Sequence, residues 1–502
     1  MIRRSVLALG LLLTLLVSVA IPASSGVYLA TFPVLASAPV SPFAGCTADA
    51  GSVGTNYPNT EVEPWLDVNP TNPKNLVAAW QQDRWNNGGS RGLVAGVSKN
   101  GGKTWKQVVI PKLSACSGSD TYIRASDPWL SFAPNGDLYH ISLSTTGGIT
   151  FEAGFPDTGM LVSKSTDGGL SWSDPIPLIQ DQGPNVLNDK QSITADPHDA
   201  NFVYAVWDRI ANASERAEPV EVFQHAIGFR APTWFARTTN GGASWETARM
   251  IYDPGEINQT IGNQIVVLPN GDLLDFFDLI YNFKNAQGVR GFNVAYIRSS
   301  DQGATWTPQA RIVDTLLRVT VRDPDTGATI RTADFNPDVA VDPASGALYL
   351  AWQDGRFSGL TRSDVAFTMS TDGGQTWTPT VRLSVNSNNR SAFLPSVHVA
   401  GDGTVGVSFY DFRNHITGGS MLKTDHWLIH CHPSLTDCTN AANWSETHVD
   451  GPFDYRNFPV ASGLFAGDYL GLAFIGNTFA TLFIRSGATA NTADAFFATV
   501  GP

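Results

Sequence analysis

The sequence has little charge: 15% of its 502 residues are Asp, Glu, Lys or Arg, and the balance is acidic, −13 at pH 7. Such a chain is a poor partner for nucleic acid or for an anionic membrane surface. Cysteine is scarce at four residues, too few to frame a fold of this length. Cys431 and Cys438 are close enough in sequence to close a small loop, and Cys46 and Cys116 are the candidates for a longer bridge. Amphipathic helical periodicity is missing, and no apolar stretch beyond the first residues is long enough to cross a bilayer. What is plentiful is glycine (47), proline (30) and tryptophan (14), around short apolar runs such as Asn75 to Trp80 and Leu348 to Trp352. Each run is bounded by Gly, Pro, Asn or Asp, the pattern of strands and turns. The expected fold class is all-β.

The first residues read as an export signal. Arg3 and Arg4 precede an apolar run from Val6 to Ala20, and small residues at Ala36-Ser37-Ala38 offer a cleavage site. The run is short for a membrane span. Residues 1–38 are therefore expected to leave a secreted, monomeric domain of residues 39–502, whose charge becomes −15 once Arg3 and Arg4 are gone.

An eight-residue phrase occurs five times: Ser98 to Trp105, Ser165 to Trp172, Thr238 to Trp245, Ser299 to Trp306 and Ser370 to Trp377. At its third place an Asp or Asn can accept hydrogen bonds from its own tight turn. At its fifth a Gly supplies positive φ, and the closing Trp anchors the hairpin on a neighbouring sheet. The phrase resembles the Asp-box of the sialidase superfamily. That resemblance implies a β-propeller in which the box is structural and lies away from the active site.

A second phrase, an apolar strand ending at a turn, precedes each box and places turn prolines at Pro70, Pro134, Pro197, Pro269 and Pro343. Two further copies without a box begin at Ser396 and Tyr469, the first with Trp444 where a boxed Trp would fall. Repeats of this size suit four-stranded propeller blades. The last copy has three strands, so the segment before Glu63 is expected to supply a fourth. Seven blades are expected, against the six usual in sialidases; six would follow if the last copy folded as an appendage. Longer inserts fall at Ile210 to Pro232, Arg311 to Asp334, Arg413 to His426 and Glu446 to Leu464, and loops of that length are often functional.

In a blade whose strands alternate up and down, the mouth away from the boxes is formed by the turn after strand two and the connection into strand one. The turns carry Asp83-Arg84, Asp208-Arg209, Asp354 with Arg356, and Asp411 with Arg413; the connections carry Glu63, Asp127, Asp189, Asn263, Asn336 and Asp468. One reading is a sugar site in which Arg84, Arg209, Arg356 and Arg413, with Asp83, Asp354 and Asp411, hold the substrate while Asp127, Asp189 or Asp468 serves as acid or base. The other is that each Arg pairs with the Asp of its own turn. The resemblance implies an arginine triad and a Tyr nucleophile, for which Tyr410 and Tyr469 are the candidates. The first strand reads Val62-Glu63-Pro64-Trp65, without the arginine usual there. His426, His430, His432 and His448 cluster near Cys431 but alternate across a strand, so no metal site is assigned to them. Acidic mouth residues leave room for a Ca2+, and no other cofactor is expected. The function expected is an exo-glycosidase acting on sialic acid or another acidic sugar, with a non-catalytic propeller that binds polysaccharide or protein as the alternative.

Overall fold

The computed structural model describes residues 27–149, 154–212, 229–285 and 288–502. Among them it has strands, turns and four short 3-10 segments, and no α-helix. The apolar run of the export signal and most of the Ile210 to Pro232 insert lie outside the described residues.

Strand pairing builds consecutive antiparallel groups. Their first strands are Glu61–Val68, Arg124–Phe132, Val186–Ala195, Gln259–Val267, Asp338–Val341, Ala392–Val399 and Gly471–Ile475; we number the groups 1 to 7 in that order. Each first strand packs against the next, and Gly471–Ile475 returns to Glu61–Val68. Second strands carry the bulk of the core, with Trp80, Trp207 and Trp352 fully buried between groups.

Group 7 contains both ends of the described chain. Its third strand, Ala493–Gly501, pairs with Leu29–Ala30 and Val34–Leu35. Those two strands lie inside the stretch read as signal, and a cut at Ala36-Ser37-Ala38 would remove them.

The repeated eight-residue phrase forms the turn between third and fourth strands. In its fifth copy, Gly374 N donates to Ser370 Oγ (2.9 Å), and Thr376 donates to Asp372 through both N (2.9 Å) and Oγ1 (2.6 Å). The bonds from Thr376, with one from Ser370 Oγ, hold the Asp372 carboxyl down at about 2. Gly374, at φ +86°, lies against Leu274 and Tyr296 of the preceding group, and Gly102 of group 1 lies against Phe497 of group 7. A Cβ at Gly102 would fall 2.0 Å from the Phe497 ring, so glycine is needed there for close approach as well as for φ. The boxed tryptophans, expected to be largely buried, are half-buried. They lie on the outer hairpin, and two of them meet the preceding group edge-on, Trp377 on Phe276 and Trp306 on Phe235. Trp444 meets Phe367 in the same way. Disulfides join Cys46 to Cys116 and Cys431 to Cys438.

Side chains stitch neighbouring first strands together along the axis. Phe132 N donates to Asp67 Oδ2 (2.7 Å), Ala195 N to Ser131 Oγ (3.0 Å), Thr194 Oγ1 to Ile265 O (2.8 Å), and Val397 N to Asp338 Oδ2 (2.8 Å). Burial pushes the Asp67 carboxyl up to about 7 and that of Asp338 to about 6, against the pull of these bonds. A carboxyl raised on folding contributes stability that is complete below its ordinary value and is lost as pH rises through the raised one. The urea midpoint is therefore expected to fall between pH 5 and pH 8, and Asp67→Asn to flatten that slope. A midpoint that rises over this range would refute the assignment.

Candidate functional site

The axial end away from the repeated turns is where the first strands begin. Here five of them bulge: pairing slips by a step between Val62 and Trp65, Ser126 and Trp129, Asp189 and Ser192, Ile261 and Gln264, and Phe393 and Ser396. Proline at Pro64, Pro128 and Pro395 cannot donate to the ladder, which favours a bulge at those points. One residue in each bulge has positive φ: Glu63 (54°), Asp127 (52°), Lys190 (47°), Gly262 (73°) and Leu394 (52°). Bulges re-aim side chains, and a non-glycine residue in the left-handed region costs about 1–3 kcal/mol that the surrounding fold must supply.

Three of these bulged residues meet Asp468, which enters the first strand of group 7. Carboxylate oxygens of Glu63, Asp127 and Asp468 all lie within 4.8 Å of one another, and all three residues are buried. The Lys190 ammonium sits among them, with Nζ 2.5 Å from Asp468, 3.7 Å from Asp127 and 3.9 Å from Glu63. It supplies the positive charge that a cation would bring to these oxygens, which is the place where the sequence left room for Ca2+. Arg331 grips Asp468 from the other side through Nε (3.0 Å) and Nη2. Gln81 donates to Glu63 and accepts from Arg84 Nη1 (2.5 Å). Arg84 and Arg331 both stack on the Phe465 ring, with guanidinium carbons 5.0 and 4.3 Å from its centroid.

The charges divide the carboxyls. Burial raises Glu63 well above the usual range, and the neighbouring Asp127 adds to the rise. Burial pulls Asp127 the same way, but Lys190 and the hydrogen bond from Glu63 outweigh it and hold Asp127 low. Asp468 is lower still, because Arg331 and Lys190 overcome its burial. Asp189, half-buried beside Lys190, is raised by burial to about 6.

Beside this cluster opens a cleft of about 560 Å3 whose lining includes Asp189, Lys190, Asp468, Arg290, Arg318 and Arg331. Phe229, Tyr281, Phe292 and Phe335 also line it. Arg318 lies between the Phe292 and Phe335 rings and bonds Asp334 Oδ1 at 2.7 Å.

Of the residues chosen from the sequence, Asp127, Asp189, Asp468 and Arg84 come together here. The other arginines do not. Arg209 pairs with Asp181, Arg356 with Asp314 and Asp354, and Arg413 with Asp411 and Glu446. Asp83 accepts from Ser41 Oγ and Asn59 N and so pins the N-terminal segment. Asp354 and Asp411 also accept from the indoles of Trp352 and Trp427. Tyr410 is wholly buried, its hydroxyl donating to Ile484 O at 2.7 Å. Tyr469 donates to Pro128 O at 3.0 Å and packs edge-on against Trp65 and Trp129; burial holds its phenol well above the usual range. His448 pairs with Asp425 at 2.8 Å, while His430 stacks on Tyr28.

Sequence reasoning missed Lys190, Arg290, Arg318 and Arg331. Arg318 and Arg331 stand in an insert marked as long enough to be functional, but spacing alone does not say which of its arginines face the axis. The acidic-residue-plus-proline pairs Glu63-Pro64 and Asp127-Pro128 were the available signal for the bulges.

No family model matches the chain. A xyloglucanase from Paenibacillus sp is 25% identical over 261 residues, 50% of this chain and 23% of that protein; the chain thus spans about a quarter of the curated relative it matches. Among solved structures, a protein of unknown function from Dyadobacter fermentans is 14% identical, covering 90% of this chain and 97% of that one, with a TM-score of 0.45. A leech intramolecular trans-sialidase is 15% identical, covering 89% and 70%, with a TM-score of 0.42. An α-L-arabinofuranosidase of Fusarium graminearum is 15% identical, covering 76% and 98%, with a TM-score of 0.45. The solved structures to which the chain is similar thus include sialidases and an arabinofuranosidase; the described residues themselves are all-β.

Proposed function

We propose that the chain is an exported glycoside hydrolase acting on an acidic sugar, with its active site in the cleft at the axial mouth of a closed, seven-bladed propeller. The observation that carries this reading is the shared lining of that cleft: a carboxyl raised to about 6, Asp189, stands with an ionised carboxylate, Asp468, and with Arg290, Arg318 and Arg331. Carboxyl groups pushed apart in acidity are the mark of an acid and a base sharing one site. Asp189 would protonate the leaving oxygen, Asp127 or Asp468 would supply the negative charge facing the sugar, and the arginines would hold a substrate carboxylate. Packing of consecutive first strands all the way round supports the seven blades.

The test is hydrolysis of a fluorogenic sialoside, a uronide and a panel of neutral glycosides. Asp189→Asn is expected to lower kcat about 10²- to 10⁴-fold, and Arg318→Ala to raise KM for acidic substrates alone. Because a general acid works protonated, the wild-type rate should fall as pH rises through about 6. Full activity in Asp189→Asn would place the chemistry elsewhere. A folded wild type that hydrolyses no glycoside would leave the same cleft as a carbohydrate-binding surface.

A further inference from the structure

The N-terminal segment is built into the fold from Tyr28 onward. The Tyr28 ring is buried and stacks on His430 with centroids 3.7 Å apart, and its carbonyl accepts from Thr447 Oγ1 at 3.0 Å. Leu29 and Ala30 pair with Gly501 and Val500, and Val34 and Leu35 with Phe497 and Phe496. Between the two stretches Thr31 N donates to Thr499 O (2.9 Å), and Thr499 N donates back to Thr31 Oγ1 (2.9 Å). Ala36 and Ser37 are buried, with Ala36 N donating to Ala495 O (2.8 Å) and Ala495 N to Ser37 Oγ (3.2 Å). A chain beginning at Pro39 would lose every one of these contacts. Strand Ala493–Gly501, with Phe483, Phe496 and Phe497 around it, would become an open apolar edge, the feature that promotes aggregation.

We infer that export processing cuts this chain within residues 20–26 and not at Ala36-Ser37-Ala38, so that the newly made N-terminus carries the outer strand of group 7. The inference rests on the proposal that the chain is exported. Its sequence warrant is that small residues stand at the end of the apolar run, Ala20, and just after it, Ala23, Ser24, Ser25 and Gly26, where a leader peptidase of the export pathway requires them. The step is hydrolysis of one peptide bond, water adding a hydroxyl to the leader and a proton to the new amine. The small residues at 36–38 are short for a different reason: Ala36 and Ser37 fill a buried corner beside Ala495.

Full-length chain expressed in an exporting bacterium, recovered from outside the cytoplasm and sequenced from its N-terminus, should begin between Ile21 and Val27. Ala38→Gln should be processed at the same bond, whereas Ala20→Gln with Ala23→Gln should accumulate uncut. A chain engineered to begin at Pro39 should melt roughly 10 °C or more below the natural product. A natural start at Pro39, processing blocked by Ala38→Gln, or an exported chain with its leader uncut would each overturn the inference while leaving export intact. Retention of uncut wild type in the cytoplasm would overturn both.

Discussion

Lys190→Met is expected to lose about 3–5 kcal/mol of folding stability, the cost of removing one partner from a buried ionic cluster. Three carboxyl groups converge on its ammonium, and only Asp468 has a second cationic partner in direct contact, Arg331. The loss should itself depend on pH, because removing Lys190 reverses the sign of the Asp127 contribution. With Lys190 in place, Asp127 is held low on folding, so its contribution is present above the ordinary carboxyl range and lost as pH falls. Without it, burial dominates and the folded carboxyl rises, so stability is present in acid and lost as pH rises. Denaturant unfolding of both proteins at pH 5 and pH 8 reads the difference. A deficit equal at the two pH values, or below about 1 kcal/mol, would mean that Lys190 is not the counter-ion of this cluster.

Trp207→Ala should cost a comparable amount, about 3–5 kcal/mol. Trp207 is fully buried between groups and its indole donates to Asn188 Oδ1 at 3.0 Å, so truncation opens a cavity and orphans an acceptor. Trp245→Ala, by contrast, removes a half-buried side chain from an outer hairpin and is expected to cost less than half as much. Thermal melts of the two variants side by side test this. Equal losses would show that the outer hairpins carry as much of the core as the second strands do.

The parts of this molecule that were legible in the sequence are those set by neighbours in the chain. The repeated turn is closed by its own residues, Ser370, Asp372 and Thr376, so eight positions suffice to reveal it. The axial cluster is different. Glu63, Asp127, Lys190 and Asp468 are far apart in sequence and meet only because successive groups wrap one axis, while Arg331 arrives on an insert with no periodicity to mark it. The same difference explains the arginines that were misplaced. Arg356 and Arg413 stand two residues from Asp354 and Asp411 and are taken by them within their own turns. Tyr410, a nucleophile candidate in the sequence, points its side chain into the core with Phe393 and Phe453.

Because Leu29 pairs with Gly501, the first strand of the described residues finds its partner across nearly the whole of the described chain. Loop closure over such a span is entropically costly and slow, so the outer strand of group 7 must wait while every other group is made. Folding in chain order can build groups 1 to 6 but cannot complete group 7. The final docking is one event that joins both ends of the described chain, and its rate is expected to limit how fast the protein becomes resistant to protease.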